Sequence, residues 1–185
     1  AAAYENTNIV NGMSYYKRNG NFANAACVAA IHPDELAGKT VSPVEALDNL
    51  QKLEESFYQY AEGYAAPTCS INDFLKQQGK GSQFETSYPL GLKPAPLWDL
   101  LPKPVVESMQ VGLQDFIRKM RGFENGNLLG FESKTSSPVQ VIRDKSGLCE
   151  GFDNIYIVGE GSGYAGGIIS SAADGIKAAM HYIES

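Results

Sequence analysis

Apolar residues return every three or four positions from Leu47 to Tyr60, through Leu50, Leu53 and Phe57. That spacing places them on one face of a helix. Ser42-Pro43-Val44-Glu45 stands in front of them, with an N-cap hydroxyl, a proline at the first helical position and a glutamate at the third. The pattern therefore predicts a helix from residue 42 to about Gly63. A second helix is predicted from near Pro104, with Val106, Met109, Leu113, Phe116, Ile117 and Met120 as its buried stripe and Gly122 as its end. A third, over about 167–183, gathers Ile169, Ala172, Ala173, Ile176, Ala179, Met180 and Ile183 on one face. A short helix is predicted around 71–77.

Extended structure is signalled differently. Asn11-Gly12 and Asn19-Gly20 suit two-residue hairpin turns, and an apolar run at 25–31 follows them. They predict a small antiparallel β-meander over residues 8–31. Further strands are predicted at 128–133, 139–143 and 155–158. Residues 79–103 hold four prolines and three glycines and have no periodicity. They read as a long irregular connection, either a surface link or a segment lying over a site. The fold class is α+β, with the meander and two long helices over 1–125 and a strand-loop-helix within 126–185.

Composition narrows the functional classes. The chain has 185 residues, 43% hydrophobic and 19% charged, which suits a packed domain. A formal net charge of −6 argues against nucleic acid as a partner, because such binding needs a basic face. Arg118, Lys119 and Arg121 read as the solvated side of a helix. No apolar run reaches the length of a membrane span. The three cysteines (Cys27, Cys69, Cys149) form no CxxC pair, so no metal site is expected, and free thiols suit a reducing cytoplasm. A chain that opens on Ala1 without an initiator Met reads as a piece of a longer protein.

The segment after Val158 carries the chemistry. Five glycines fall in the nine residues from Gly159 to Gly167, between a predicted strand and a predicted helix. Such a loop lets the backbone approach a ligand, and the helix start behind it offers N–H groups and a partial positive charge. Gly161-Ser162-Gly163-Tyr164-Ala165-Gly166 matches the GxGxxG form of a dinucleotide-binding turn. Only 19 residues follow Gly166, however, and the helix consumes them. No second strand can complete a βαβ unit, so the loop belongs to the last unit of a sheet.

The segment VGEGSGYAGGIISSAADGIKAA resembles the C-terminal signature of a bacterial family of FAD-dependent dehydrogenases, within the wider glutathione-reductase-like class of FAD folds. Thr135-Ser136-Ser137-Pro138-Val139 is similar to that family's T-S-S-P-V segment, and Asn11-Gly12-Met13-Ser14 to its N-G-M-S turn. Basic residues tend to sit there where Lys134 and Gln140 stand, so Gln140 is a departure. The resemblance implies that Gly159, Glu160, Gly161, Gly166, Gly167, Ile168 and Ile169 face the cofactor. Glu160 would accept hydrogen bonds from the ribityl hydroxyls of FAD. The helix start at Gly167-Ile168-Ile169 would face the pyrimidine edge, where it stabilises negative charge on a reduced flavin. Asn11, Gly12, Met13, Thr135, Ser136 and Ser137 would line the flavin or the substrate. Read as residues alone, these are simply turns.

On this resemblance residues 1–125 form a cap or substrate domain, and 126–185 form the C-terminal segment that completes an FAD-binding α/β domain. The whole protein would pass hydride or electrons between FAD and a small organic substrate. The family's N-terminal phosphate-binding turn lies outside this chain, so the chain itself is expected to hold FAD weakly or not at all. A truncated sheet would expose apolar helix surface, which favours self-association of the fragment. The alternative is a stand-alone binding or interaction module without a cofactor. Among other candidates, His32 and His181 read as structural or solvated, and Trp98 and Tyr88 as anchors of the long loop.

Overall fold

The computed structural model describes residues 4–184. It is mixed α/β, with six α-helices and one three-stranded sheet among the described residues. The chain divides into two compact units, Ala1–Ser133 and Lys134–Ser185.

The first unit is organised around β1 (Ala66–Ser70), the central strand of the sheet. On one edge β1 pairs in parallel with β2 (Leu92–Pro94), placing Thr68 beside Pro94. On the other it pairs antiparallel with β3 (Asn127–Leu129), placing Thr68 beside Leu129. Helix α1 (Pro33–Ala37) is capped by His32, whose ring nitrogen accepts from the Asp34 N–H, so this histidine is structural. Helix α2 (Pro43–Ala61) starts with the expected capping box, in which Ser42 and Glu45 bond each other's backbone N–H. Helix α3 (Ile71–Lys76) follows β1 directly, α4 (Leu97–Leu100) follows β2, and α5 (Lys103–Lys119) crosses the core. Phe57, Cys69, Ile71, Phe74, Ala95, Leu97, Val106 and Leu113 form one buried cluster, with Trp98 half-buried against it.

Several expected elements take another form. The antiparallel meander over 8–31 does not form. The Asn24 side chain donates to the Met13 carbonyl at 2.9 Å, so a side chain occupies an acceptor that a ladder would use. Nearby, Asn8 donates its amide to the carbonyls of Gly63 and Ala65, both at 2.9 Å, which ties the N-terminal segment to the end of α2. The connection 79–103 is not structureless, since it holds β2 and α4. The strand expected at 128–133 is the shorter β3. On α5 Val106 and Leu113 are buried and Met109 and Ile117 pack half-buried against the core as expected, while Phe116 and the C-capping Met120 are exposed. On α2, Leu47 is exposed and Glu54 is fully buried. The Glu54 carboxylate accepts from the Ser133 hydroxyl.

In the second unit the extended runs 139–143 and 155–158 form no ladder. Each makes a single bridge, Arg143 to Cys149 and Leu148 to Tyr156, because their neighbour is the tight turn 144–148. Helix α6 (Ile168–Glu184) seats a different face from the one its apolar residues mark. Ala178 is buried and Ser171, Asp174 and Gly175 are half-buried, while Ile169 and Ile183 are both 81% exposed. Small residues at 171, 174, 175 and 178 follow the three-four spacing and let the helix lie close to Val158 and Gly147. No described helix is long and apolar enough to cross a membrane.

Gly81 shows how tightly the first unit closes. A Cβ there would lie 2.0 Å from the Ala95 nitrogen and 2.6 Å from the Thr68 oxygen, at φ +84°. Gly91 has φ +80° and open space around it. Gly81→Ala is expected to cost more than ~2 kcal/mol in urea unfolding, and Gly91→Ala only ~1 kcal/mol. Equal losses would show that backbone angle alone matters at both positions.

Candidate functional site

The loop after Val158 begins with Gly159 at φ +77°, enters a 3-10 turn over Glu160–Ser162, and leaves it through Gly163 at φ +80°. Its interior is filled by its own hydrogen bonds. The buried Ser162 hydroxyl donates to the Gly159 carbonyl at 2.6 Å, and the Gly163 N–H donates to the Glu160 carbonyl at 3.0 Å. From the preceding segment, the Val141 N–H donates to the Ser162 carbonyl at 3.0 Å. Gly163 has no room for a side chain, since a Cβ would lie 2.4 Å from the Val139 oxygen. These contacts turn the backbone so that the Glu160 side chain lies on the outside, exposed.

Ser136, Ser137, Glu160, Gly163, Tyr164, Ala165 and Gly166 line one hollow of about 120 Å³. Ligand pockets usually run to ~300–1,000 Å³, so this hollow is smaller than a complete ligand pocket. Ser137 uses its hydroxyl on the Val139 carbonyl at 2.7 Å, as a turn residue does. The Ser136 side chain is exposed at the rim, 3.4 Å from where a Cβ on Gly166 would stand. Of the residues expected at the site, Ser136, Ser137, Glu160 and Gly166 thus share one surface. Thr135 is exposed and does not line the hollow. Asn11, Gly12 and Met13 belong to the other unit, where all three are exposed.

At the helix start, Gly167 turns its N–H back onto the Ser170 hydroxyl at 3.1 Å. That donor is therefore engaged within the chain. Ile168 and Ile169 occupy the first turn, where backbone N–H groups have no intrahelical acceptor. Their side chains are 89% and 81% exposed.

Three residues at this site were not singled out by the sequence pattern. Arg143 donates to Asp174 at 2.9 Å and to the Ile157 carbonyl at 3.0 Å, and its guanidinium lies 4.3 Å from the centroid of the Tyr164 ring. The second Asp174 oxygen accepts from the Gly159 N–H at 2.8 Å. The one available signal was that Asp174 is the sole acid between Glu160 and Glu184, set among small residues. Thiol chemistry has no support at Cys69, where burial pushes the pKa up to about 12. Among the described residues no three His, Cys, Asp or Glu side chains gather as a metal site.

A glycine-rich turn thus passes an extended segment to a helix, with a carboxylate and hydroxyls around a hollow. The chain belongs to the family described as FAD-dependent protein, C-terminal domain-like, which matches residues 1–135. It is also 36% identical over 189 aligned residues to an uncharacterized protein of Clostridium beijerinckii. That alignment takes in all of this chain and 35% of the relative, so the chain spans about a third of the relative's length. The family match ends two residues past the division between the units, and the glycine loop lies beyond it.

The Asp174 carboxyl is held below the usual carboxylate range, first by the Arg143 hydrogen bond and then by the Gly159 N–H. Lys177 adds a weaker pull in the same direction. A depressed native pKa means this contribution is complete above the unfolded value of ~3.9 and is lost as pH falls through the native one. The Gly159 amide resonance should accordingly stay constant above about pH 4 and move only on further acidification. Asp174→Asn should abolish that movement, while Asp144→Asn, which removes another acid-sensitive carboxylate, should leave it in place. A transition centred above pH ~4 would contradict the assignment.

Proposed function

We propose that this chain is the C-terminal part of an FAD-dependent oxidoreductase, a dehydrogenase of the glutathione-reductase-like class, and that its glycine loop forms one side of the flavin site. The observation that carries the reading is the hollow that brings Glu160 beside Ser136 and Gly166. Membership of an FAD-dependent family supports flavin as the ligand. The donor set fits part of FAD. An exposed carboxylate accepts from several hydroxyls of a polyol, and Ser136 adds a hydroxyl that donates or accepts. Two first-turn amides, at Ile168 and Ile169, suit a flavin edge that gains negative charge, while Gly167 serves the loop instead.

FAD, when bound, supplies the hydride or electron transfer itself. The residues of this chain bind and orient it: Glu160 by accepting from the ribityl chain, and the start of α6 by its N–H groups and dipole. The substrate is a small organic molecule. The outward apolar face of α6 supports the view that this unit normally lies against further protein, because exposed apolar patches of this kind mark contact surfaces. The chain alone is expected to self-associate through that face, and sedimentation velocity showing a monomer at all concentrations would remove this part of the reading.

The test is direct. In the longer protein, Glu160→Gln keeps the shape of the side chain and removes its charge. It should weaken flavin binding about tenfold, the worth of a charged hydrogen bond. The purified 185-residue chain should carry no stoichiometric flavin by its absorbance spectrum. Unchanged flavin affinity in Glu160→Gln would defeat the assignment of the loop.

A further inference from the structure

The Arg143–Asp174 pair sits where the parts of the second unit meet. Arg143 has 7% of its side chain exposed and Asp174 23%. Together they reach the extended segment through Ile157, the loop through Gly159 and Tyr164, and helix α6 through Asp174 itself. Gly159 immediately precedes Glu160, and Tyr164 lines the same hollow as Glu160. The two residues therefore touch both flanks of the turn that presents the carboxylate.

Packing alone does not call for this chemistry. Removing two charges from water is costly, and an apolar pair of equal volume would hold a helix against a strand as well or better. These groups meet two demands at once. A carboxylate offers one oxygen to a guanidinium while the other receives a backbone N–H. A planar guanidinium forks to two acceptors and still lays a face against an aromatic ring. Lysine in the place of Arg143 would keep the charge and lose the fork that reaches Asp174 and the Ile157 carbonyl together.

We infer that Arg143 and Asp174 are positioning residues of the flavin site. They fix the Glu160 turn, the Tyr164 ring and the start of α6 as one unit, so that the carboxylate and the helix end address the ligand in a set geometry. The inference rests on the reading that this loop faces flavin. Its consequence is that Asp174 governs flavin binding without touching flavin, through the Gly159 N–H and through Arg143.

The experiment compares Asp174→Ala, Asp174→Asn, Arg143→Lys and Glu160→Gln in the flavin-loaded longer protein. It reads flavin affinity by fluorescence titration and midpoint potential by spectroelectrochemistry. Asp174→Ala should weaken flavin about tenfold and shift the potential. Asp174→Asn, whose amide oxygen still accepts from Gly159, should restore much of the affinity, and Arg143→Lys should not. Should Asp174→Ala fail to fold, the contrast between Asp174→Asn and Arg143→Lys decides the matter. A role confined to holding the fold would lower unfolding stability and leave the potential of the folded protein unmoved, which overturns the inference. If Glu160→Gln weakens flavin while the Asp174 and Arg143 variants do not, the inference fails and the flavin reading stands. If Glu160→Gln also changes nothing, that reading fails and takes the inference with it.

Discussion

One carboxylate organises residues 134–184. Asp174 accepts from the Arg143 guanidinium with one oxygen and from the Gly159 N–H with the other. Without it, the glycine turn would keep its own internal bonds but lose the bond that ties Gly159 to the helix behind it. This matters because the unit has little core. Cys149 and Ala178 are its buried hydrophobic residues among those described. A segment of this size is marginal by packing alone. Directional contacts do the remaining work, and they converge on the loop that carries Glu160.

The first unit rests on a different constraint. Strand β1 is buried at the centre of its sheet, and every neighbour is arranged to satisfy it. The Thr68 hydroxyl donates to the Leu128 carbonyl at 2.6 Å, and the Ala95 and Gly130 amides close the ladder beyond the short partner strands at 2.8 Å each. Gly81 passes so close to Thr68 and Ala95 that only a hydrogen fits. The long connection 79–103 is thus a wall of the core, which explains why Leu97 within it is 2% exposed.

What the sequence revealed depended on whether a signal was periodic or contextual. The capping box at Ser42–Glu45, the spacing of Leu53, Phe57 and Tyr60, and the helix at 71–76 were legible because their causes are local. Strand β1 was not, because APTCS has a proline and no aromatic residue, features that speak against a central strand. It forms because both flanks are supplied from distant segments. The Asn-Gly pairs misled for the opposite reason. They allow a tight turn, but Asn24 and Asn8 spend their side chains on backbone carbonyls, and no ladder follows. At the site, the glycines pointed to the loop, and the resemblance pointed to Glu160. Arg143 and Asp174 stand 31 residues apart, and only folding brings them together. The apolar stripe of α6 was correctly seen as a face, yet the helix docks through its small-residue side because that side admits close backbone approach.

On the proposed reading, Glu160 meets the ribityl chain of a bound flavin. A crystal structure of the longer protein with FAD tests it most directly. A Glu160 carboxylate oxygen should lie about 2.7 Å from a ribityl hydroxyl, with the start of α6 facing the flavin ring. A flavin bound with no atom in contact with residues 159–169 would contradict it.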